Sequence, residues 1–241
     1  MSQKVNPIGF RLGVLQIWNA DFQCYGKLGK NYSIILYNMH KITTYLTRIF
    51  KKNNLILGPI FYSIKSNIVI IDCFYVMIAT NNTTDFFSSA MNSLQGQKVI
   101  RYSEYVLNYW FANFLVFNAF KAHWLSSPLF LATWITTNLK KCISIKKIFL
   151  NLEKKLLRDN ENLPCIKYST LGENLFILKG IKIICSGRLR GKRNRMSNKM
   201  KKQVGIMPLQ TINTYIDYKY SSVFTRFGKF GIRVYYYYEA M

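Results

Sequence analysis

The 241-residue chain carries 34 Lys and Arg against 10 Asp and Glu, a formal net charge of +24 at pH 7, which calls for a polyanionic partner. Half of its residues are hydrophobic and 16% are aromatic, so it is not a disordered basic chain, because disorder needs low hydrophobicity together with high charge. The length allows one large or two small domains.

The first twenty residues read as a basic arm with a turn at Asn6-Pro7 and charges at Lys4 and Arg11. A helix is predicted from Asn31 to Lys52, where Ile35, Met39, Ile42, Leu46 and Phe50 recur at three- and four-residue steps. Strands are predicted over Asn54 to Ser63 and Asn67 to Tyr75, then a polar loop at Thr80 to Thr84 and a short helix over Asp85 to Leu94. No acidic residue occurs from Phe22 to Ile71, which makes this half positive throughout.

Two apolar segments, Ile68 to Ala79 and Tyr109 to Phe120, raise the question of a membrane span. Crossing the hydrocarbon takes about 20 apolar residues. The first segment contains Asp72, and the second contains Asn113 and Asn118 and stops at Lys121. Both are expected to be buried elements of a globular core, with no membrane span.

Ser126-Ser127-Pro128 is a helix start, with Ser127 as cap and Pro128 at the first helical position. A second helix should begin near Ser144, where Ile145, Ile148, Phe149 and Leu152 form an apolar stripe and Lys146 and Lys147 are left to other faces. Asp159 to Leu171 reads as a polar connection. Gly180 to Ser186, Thr211 to Tyr220 and Ile232 to Tyr238 read as antiparallel strands.

Catalytic and metal constellations are thin. The five cysteines lie at least 20 positions apart, without the close spacing of a zinc or redox pair, and read as reduced core residues. His40 and His123 have no acidic or cysteine neighbour and are assigned packing roles. No close pair of acids sits in an apolar setting, and no phosphate-binding glycine loop occurs. The expectation is a non-enzyme without metal or cofactor.

The distinctive stretch is Lys179 to Lys202, with ten cations and no acid in 24 residues. Such a run between two strands of a sheet would destabilise the fold by self-repulsion unless RNA phosphates supplied the counter-charge. Arg188, Arg190, Lys192, Arg193, Arg195, Lys199, Lys201 and Lys202 are therefore predicted phosphate contacts, together with Lys4, Asn6 and Arg11 of the arm, which has too few apolar residues to fold alone and is expected to be ordered by RNA. Two Gly-X-X-Gly matches, at Gly26 to Gly29 and Gly228 to Gly231, do not join two helices as the RNA-gripping loop of a KH domain must. They read as coincidental.

Both ends of the chain resemble one family, the universal small-subunit ribosomal protein number three. The resemblance rests on Gln3 to Gly13 with Trp18-Asn19, and on Gly180 to Ile183, Ser186 to Leu189, Pro208 to Thr211, Ile216 to Tyr218, Thr225, Phe227-Gly228, Gly231-Ile232 and Val234. It implies an α+β protein of two domains behind the arm at 1–20, a degenerate KH-like domain at 21–122 and a C-terminal domain of helices on an antiparallel sheet at 123–241. It further implies a structural role in the head of the small subunit, with small-subunit rRNA and neighbouring head proteins as partners. Lys146 and Lys147 match a basic pair that in the family lines the channel through which mRNA enters. The third position of that cluster is Leu150 here, and the family's Gly-X-X-Gly clamp has no counterpart after Tyr75.

Phe, Tyr, Met, Ile, Asn and Lys, whose codons are AT-rich, fill 114 of the 241 positions, as in an organelle genome. Pro7, Gly9 and Gly13 break the patterns of a transit or secretory presequence. A mitochondrial ribosome is the expected location, and a plastid one the runner-up. The competing reading is an organellar RNA-processing or maturase-type protein, which would require an acidic metal-binding cluster.

Overall fold

The computed structural model describes residues 5–18, 30–53, 55–65, 68–77, 93–110, 115–158, 164–170, 172–189, 196–225 and 228–240. The chain divides into two compact units, one formed from Met1–Trp18 with Leu125–Met241 and the other from Asn19–Trp124. The arm thus belongs to the same unit as the C-terminal residues. Its short helix α1 (Pro7–Arg11) starts where Asn6 Oδ1 accepts from the Ile8 amide at 3.1 Å and Pro7 takes the first helical position.

The central unit runs α2 (Lys30–Lys52), β1 (Leu55–Lys65), β2 (Ile68–Met77), α3 (Ser93–Trp110) and β3 (Leu115–Lys121). Helix α2 follows the predicted stripe, with Met39, Ile42, Leu46 and Phe50 buried. The antiparallel β1–β2 register shifts between Leu57 and Ile60, around Gly58-Pro59, because proline cannot donate to the ladder. Strands β2 and β3 are parallel, and the crossover that a parallel pair requires contains α3.

Most of α3 is absent from the sequence reading, which placed a short helix at 85–94; residues 78–92, including the polar loop at 80–84, lie outside the described residues. The apolar segment at 109–120 is the end of α3 followed by β3. Among the described residues no helix is long and apolar enough to cross a membrane. Asp72 and Asn118 occupy facing positions of β2 and β3, and the amide donates to the carboxylate at 2.9 Å. That bond explains how polar residues fit two apolar strands.

The C-terminal unit adds α4 (Pro128–Lys140), α5 (Ile145–Arg158), β4 (Pro164–Ser169), β5 (Gly172–Gly187), β6 (Asn198–Gly205), β7 (Tyr215–Thr225) and β8 (Gly228–Ala240). Ser127 caps α4 through the Leu129 amide, as expected. The five strands form one antiparallel sheet, ordered β4-β5-β8-β7, in which β4 pairs with the first half of β5 and β6 with the second. The molecule is therefore α+β.

Two connections in the sequence reading are strands in the structure. Residues 164–169 form β4, because Cys165 and Lys167 alternate with exposed Ile166 and Tyr168 along the edge of β5. Residues 198–205 form β6, so the end of the basic stretch is an edge strand rather than a link between strands. The connection after β6 passes directly over Gly180, where a Cβ would stand 1.7 Å from the Ile206 carbonyl oxygen. Only glycine fits there.

The cysteines also divide. Cys73 and Cys185 are buried, Cys165 is half-buried, and Cys142 is exposed; Cys24 lies outside the described residues. Cys142 sits just past α4 with φ of 60°, in the left-handed conformation that ends many helices and that glycine usually supplies. His40 and His123 are exposed rather than packed in a core.

Candidate nucleic-acid interface

Alternation along paired strands sorts the cations of the C-terminal sheet onto two faces. On one face Ile183, Cys185, Ile232 and Val234 are buried; α4 packs on this side, against β7 and β8. Lys202 projects to the same side, opposite Ile183 in register, and is ion-paired with Glu153 of α5. Lys199 and Lys201, opposite Ser186 and Ile184, project to the other, open face and are exposed.

The register continues this open face across β5 and β8 to β7. Ser186 and Ile184 face Gly231 and Arg233, which face Ser222 and Tyr220. Lys182 lies opposite Tyr235, and Lys229 opposite Phe224. Five cations thus share one surface. Along Gly180–Gly187 of β5 and the segments paired with it, no described residue on this face is acidic: Asp217 points to the helix side, opposite Tyr236, where its carboxylate binds Lys167 at 2.8 Å. The Tyr218 and Tyr235 rings meet in a tilted contact, with centroids 4.9 Å apart and planes at 42°. Burial raises both phenols above their ordinary value, although the charge of Arg233 acts the other way.

The predicted contacts fall into separate groups. Lys4, Arg190, Lys192, Arg193 and Arg195 lie outside the described residues. Arg188 is half-buried at the end of β5. Asn6 uses its side-chain oxygen as the α1 cap. Lys146 and Lys147 are both exposed on α5, whose buried stripe is Ile145, Ile148, Phe149 and Leu152.

Arg11 is a correction. Its side chain is fully buried, and its guanidinium reaches the carbonyls of Pro7 (3.1 Å), Pro208 (3.3 Å), Leu209 (3.2 Å) and Thr211 (2.6 Å) and the hydroxyl of Thr214. Desolvation lowers its pKa. The residue ties the arm to the β6–β7 connection, and its donors are turned inward, away from any phosphate. Gln16 adds a bond of 2.8 Å to the Ile216 carbonyl, and Leu15 accepts from the Thr170 amide. The arm is thus anchored within the protein, where the sequence pointed to RNA. Lys202, on the helix side of the sheet, is ion-paired with Glu153.

Sequence reasoning counted Lys182 in the basic stretch without naming it as a contact, and missed Lys229 and Arg233. The signal lies in β8 as the alternation Lys229, Gly231, Arg233, which the sequence reading divides between the coincidental Gly228 to Gly231 match and the strand from Ile232. Among the described residues no three His, Cys, Asp or Glu side chains gather to hold a metal ion.

Comparison with known proteins agrees with this geometry. The sequence model described as "Ribosomal protein S3, C-terminal domain" matches residues 175–235, the span from β5 into β8 that forms the open face. The chain is similar to the small ribosomal subunit protein uS3m of Chondrus crispus, with 25% identity covering 97% of this chain and 92% of that protein. It is similar to uS3c of Lotus japonicus, with 29% identity and 97% of each chain covered, and to uS3 of Geotalea uraniireducens, with 28% identity over 97% of this chain and 95% of the relative. End-to-end coverage of three such relatives, together with a profile match over the basic sheet, makes the chain similar to the ribosomal protein S3 family along nearly its whole length.

Proposed function

We infer that this protein is a structural constituent of the small ribosomal subunit, bound to its rRNA through phosphates. The observation that carries this reading is the open face of the C-terminal sheet, where Lys182, Lys199, Lys201, Lys229 and Arg233 converge and no described residue along Gly180–Gly187 and the segments paired with it is acidic on that face, inside the region matched by the family. A net charge of +24 needs that many counter-charges nearby. In sucrose gradients of organelle extract the protein should travel with the small subunit through a high-salt wash; release into the soluble fraction by that wash would overturn the assignment.

The central unit supports the KH-like reading through its α-β-β-α-β order with parallel β2 and β3. The segment joining β2 to α3, residues 78–92, contains no glycine, so the backbone clamp of a KH domain has no residues to form it there. The resemblance to uS3m and uS3c fits a ribosome inside an organelle, and the AT-rich coding together with the lost clamp favours the mitochondrion. Immunogold labelling or fractionation of the two organelles decides between mitochondrion and plastid.

Lys146 and Lys147 are assigned to the channel through which mRNA enters. Replacing both by Ala leaves the buried stripe of α5 intact, so assembly should survive. Reconstituted subunits should then read unstructured messages normally and stall more on hairpins. Equal rates on both would remove the channel role while leaving the structural one.

A further inference from the structure

The open face offers more than charge. Gly231 stands at the point where Ser186 of β5 and Tyr220 of β7 approach from either side; a Cβ there would lie 3.1 Å from Ser186 Oγ and 3.5 Å from the Tyr220 ring. Without it the face dips into a notch of about 400 Å³. Gly231 floors this notch, Lys199 and Lys229 bring positive charge to it, and the hydroxyls of Ser186, Ser197 and Tyr220 line it. The Ser186 hydroxyl donates to the Gly231 carbonyl at 3.2 Å, which leaves the Ser197 and Tyr220 hydroxyls as donors and the two lysines as cations for one phosphate.

Beside the notch, β7 is an edge strand whose open-face side chains include two exposed aromatics. Tyr220 is 48% and Phe224 75% exposed, and Lys229 Nζ lies 5.4 Å from the centroid of the Phe224 ring. Large exposed rings adjoining a cationic groove are the arrangement that binds single-stranded nucleic acid, with phosphates on the cations and bases on the rings. A duplex keeps its bases stacked inside, so it would leave both rings uncovered. An acidic protein surface would satisfy the lysines but would gain nothing specific from the glycine-floored notch.

We propose that the open face of the C-terminal sheet grips an unpaired segment of RNA, seating one phosphate between Lys199 and Lys229 and stacking bases on Tyr220 and Phe224. The proposal rests on the ribosomal reading only for the source of the RNA.

The test uses the full chain with a twelve-residue oligouridylate and an RNA duplex of the same length. Tyr220→Leu and Phe224→Leu remove the rings without touching charge. Each should weaken oligouridylate binding about tenfold at constant salt slope, and leave duplex binding within twofold. Lys199→Gln with Lys229→Gln should flatten the slope of log affinity against log salt by about 1.4. Equal losses for oligouridylate and duplex, or no loss from either ring, would overturn the proposal.

A second measurement needs no variant. Ultraviolet cross-linking of intact subunits should join Tyr220 or Phe224 to a nucleotide; amine-reactive cross-links from Lys199 and Lys229 to a neighbouring protein, with no nucleotide on either ring, would overturn the proposal in favour of a protein occupant. Sedimentation of the ring variants separates the two readings. If they travel with the small subunit yet bind oligouridylate normally, only this inference fails; if the wild-type chain itself does not travel with the subunit, the ribosomal assignment fails.

Discussion

In the central unit, helices α2 and α3 are joined to their sheet by an almost purely apolar cluster of Ile42, Leu46, Phe50, Leu57, Ile71, Cys73, Leu107, Leu115 and Phe117. The C-terminal unit has an apolar core too, but buried or half-buried polar groups are fastened through it. Arg11 holds the 208–214 connection. Lys167 binds Asp217, donates to the Ser126 carbonyl at 2.9 Å and lies 4.7 Å from the centroid of the Tyr238 ring, while the Tyr238 hydroxyl donates to the same carbonyl at 3.0 Å. Apolar cores accept many combinations of similar volume, whereas a buried polar network works only when every member is present. The family profile matches inside the unit built on such networks.

The largest effect expected is on Arg11. Arg11→Ala leaves several inward-facing carbonyls unsatisfied and should destabilise the C-terminal unit by roughly 3–5 kcal/mol. Leu46→Ala should cost the central unit about 2–5 kcal/mol by leaving a cavity. Each unit contains its own reporter, because Cys73 and Cys185 are both buried and desolvation pushes both thiols up to about 12, helped at Cys73 by the Asp72 carboxylate. Alkylation at pH 8 followed by mass spectrometry should find Cys185 accelerated in the first variant and Cys73 in the second. If both thiols accelerate together in both variants, the contrast between the units is wrong.

Asp217→Ala sharpens the same contrast at a single ion pair. It leaves Lys167 without its anion in a partly buried setting beside Tyr238, at a cost of about 2–3 kcal/mol, measured as a shift of the denaturant midpoint. A change below 0.5 kcal/mol would mean that the network is ornamental to stability.

Alkaline pH acts on both units. The folded thiols of Cys73 and Cys185 hold their protons up to about 12, against an ordinary value of 9.0, while unfolded thiols ionise near the lower value. The unfolded state therefore binds fewer protons in this window, and stability is intact below pH 9 and falls as pH rises towards 12. The slope is about 1.4 kcal/mol per pH unit for each thiol. Half-buried Tyr215 and buried Tyr236 and Tyr238, raised chiefly by desolvation, act in the same direction in the C-terminal unit. Chemical unfolding at pH 7.5, 9 and 10.5 should show a plateau and then a decline; rising stability would contradict the burial of these groups.

The smallest effect is a gain. Cys142 occupies a left-handed position past α4, and Cys142→Gly should stabilise the C-terminal unit by about 1 kcal/mol, or a few degrees in Tm.

The regular elements were legible where side chains repeat locally. The stripe of α2, the Ser127-Pro128 start of α4 and the stripe of α5 need only neighbours three or four positions away. What escaped the sequence depends on distant partners. β4 is a mixed strand that makes sense only against the edge of β5, and β6 is a basic strand whose alternation separates Lys199 and Lys201 from Lys202. Arg11 was read as a surface charge because nothing near it in sequence reveals the carbonyls about 200 positions away. The open face was legible in part, as a density of cations; its geometry, including the place of Arg233 and Lys229 beside Tyr220, required the β5–β8–β7 register.

The bond from Arg11 to Thr211 spans 200 residues, and this imposes an order on biosynthesis. A ribosome making this chain at roughly 5–20 residues per second exposes the arm on the order of 10–40 s before residues 208–214 exist. During that interval the guanidinium has only the nearby Pro7 carbonyl, solvent or another molecule to bind, and the arm lacks its distant anchor. Docking it is one of the last events of folding, and a chain cut short before Pro208 retains the arm but lacks its receptor. The beginning of this protein therefore matures only after nearly all of the rest has been made.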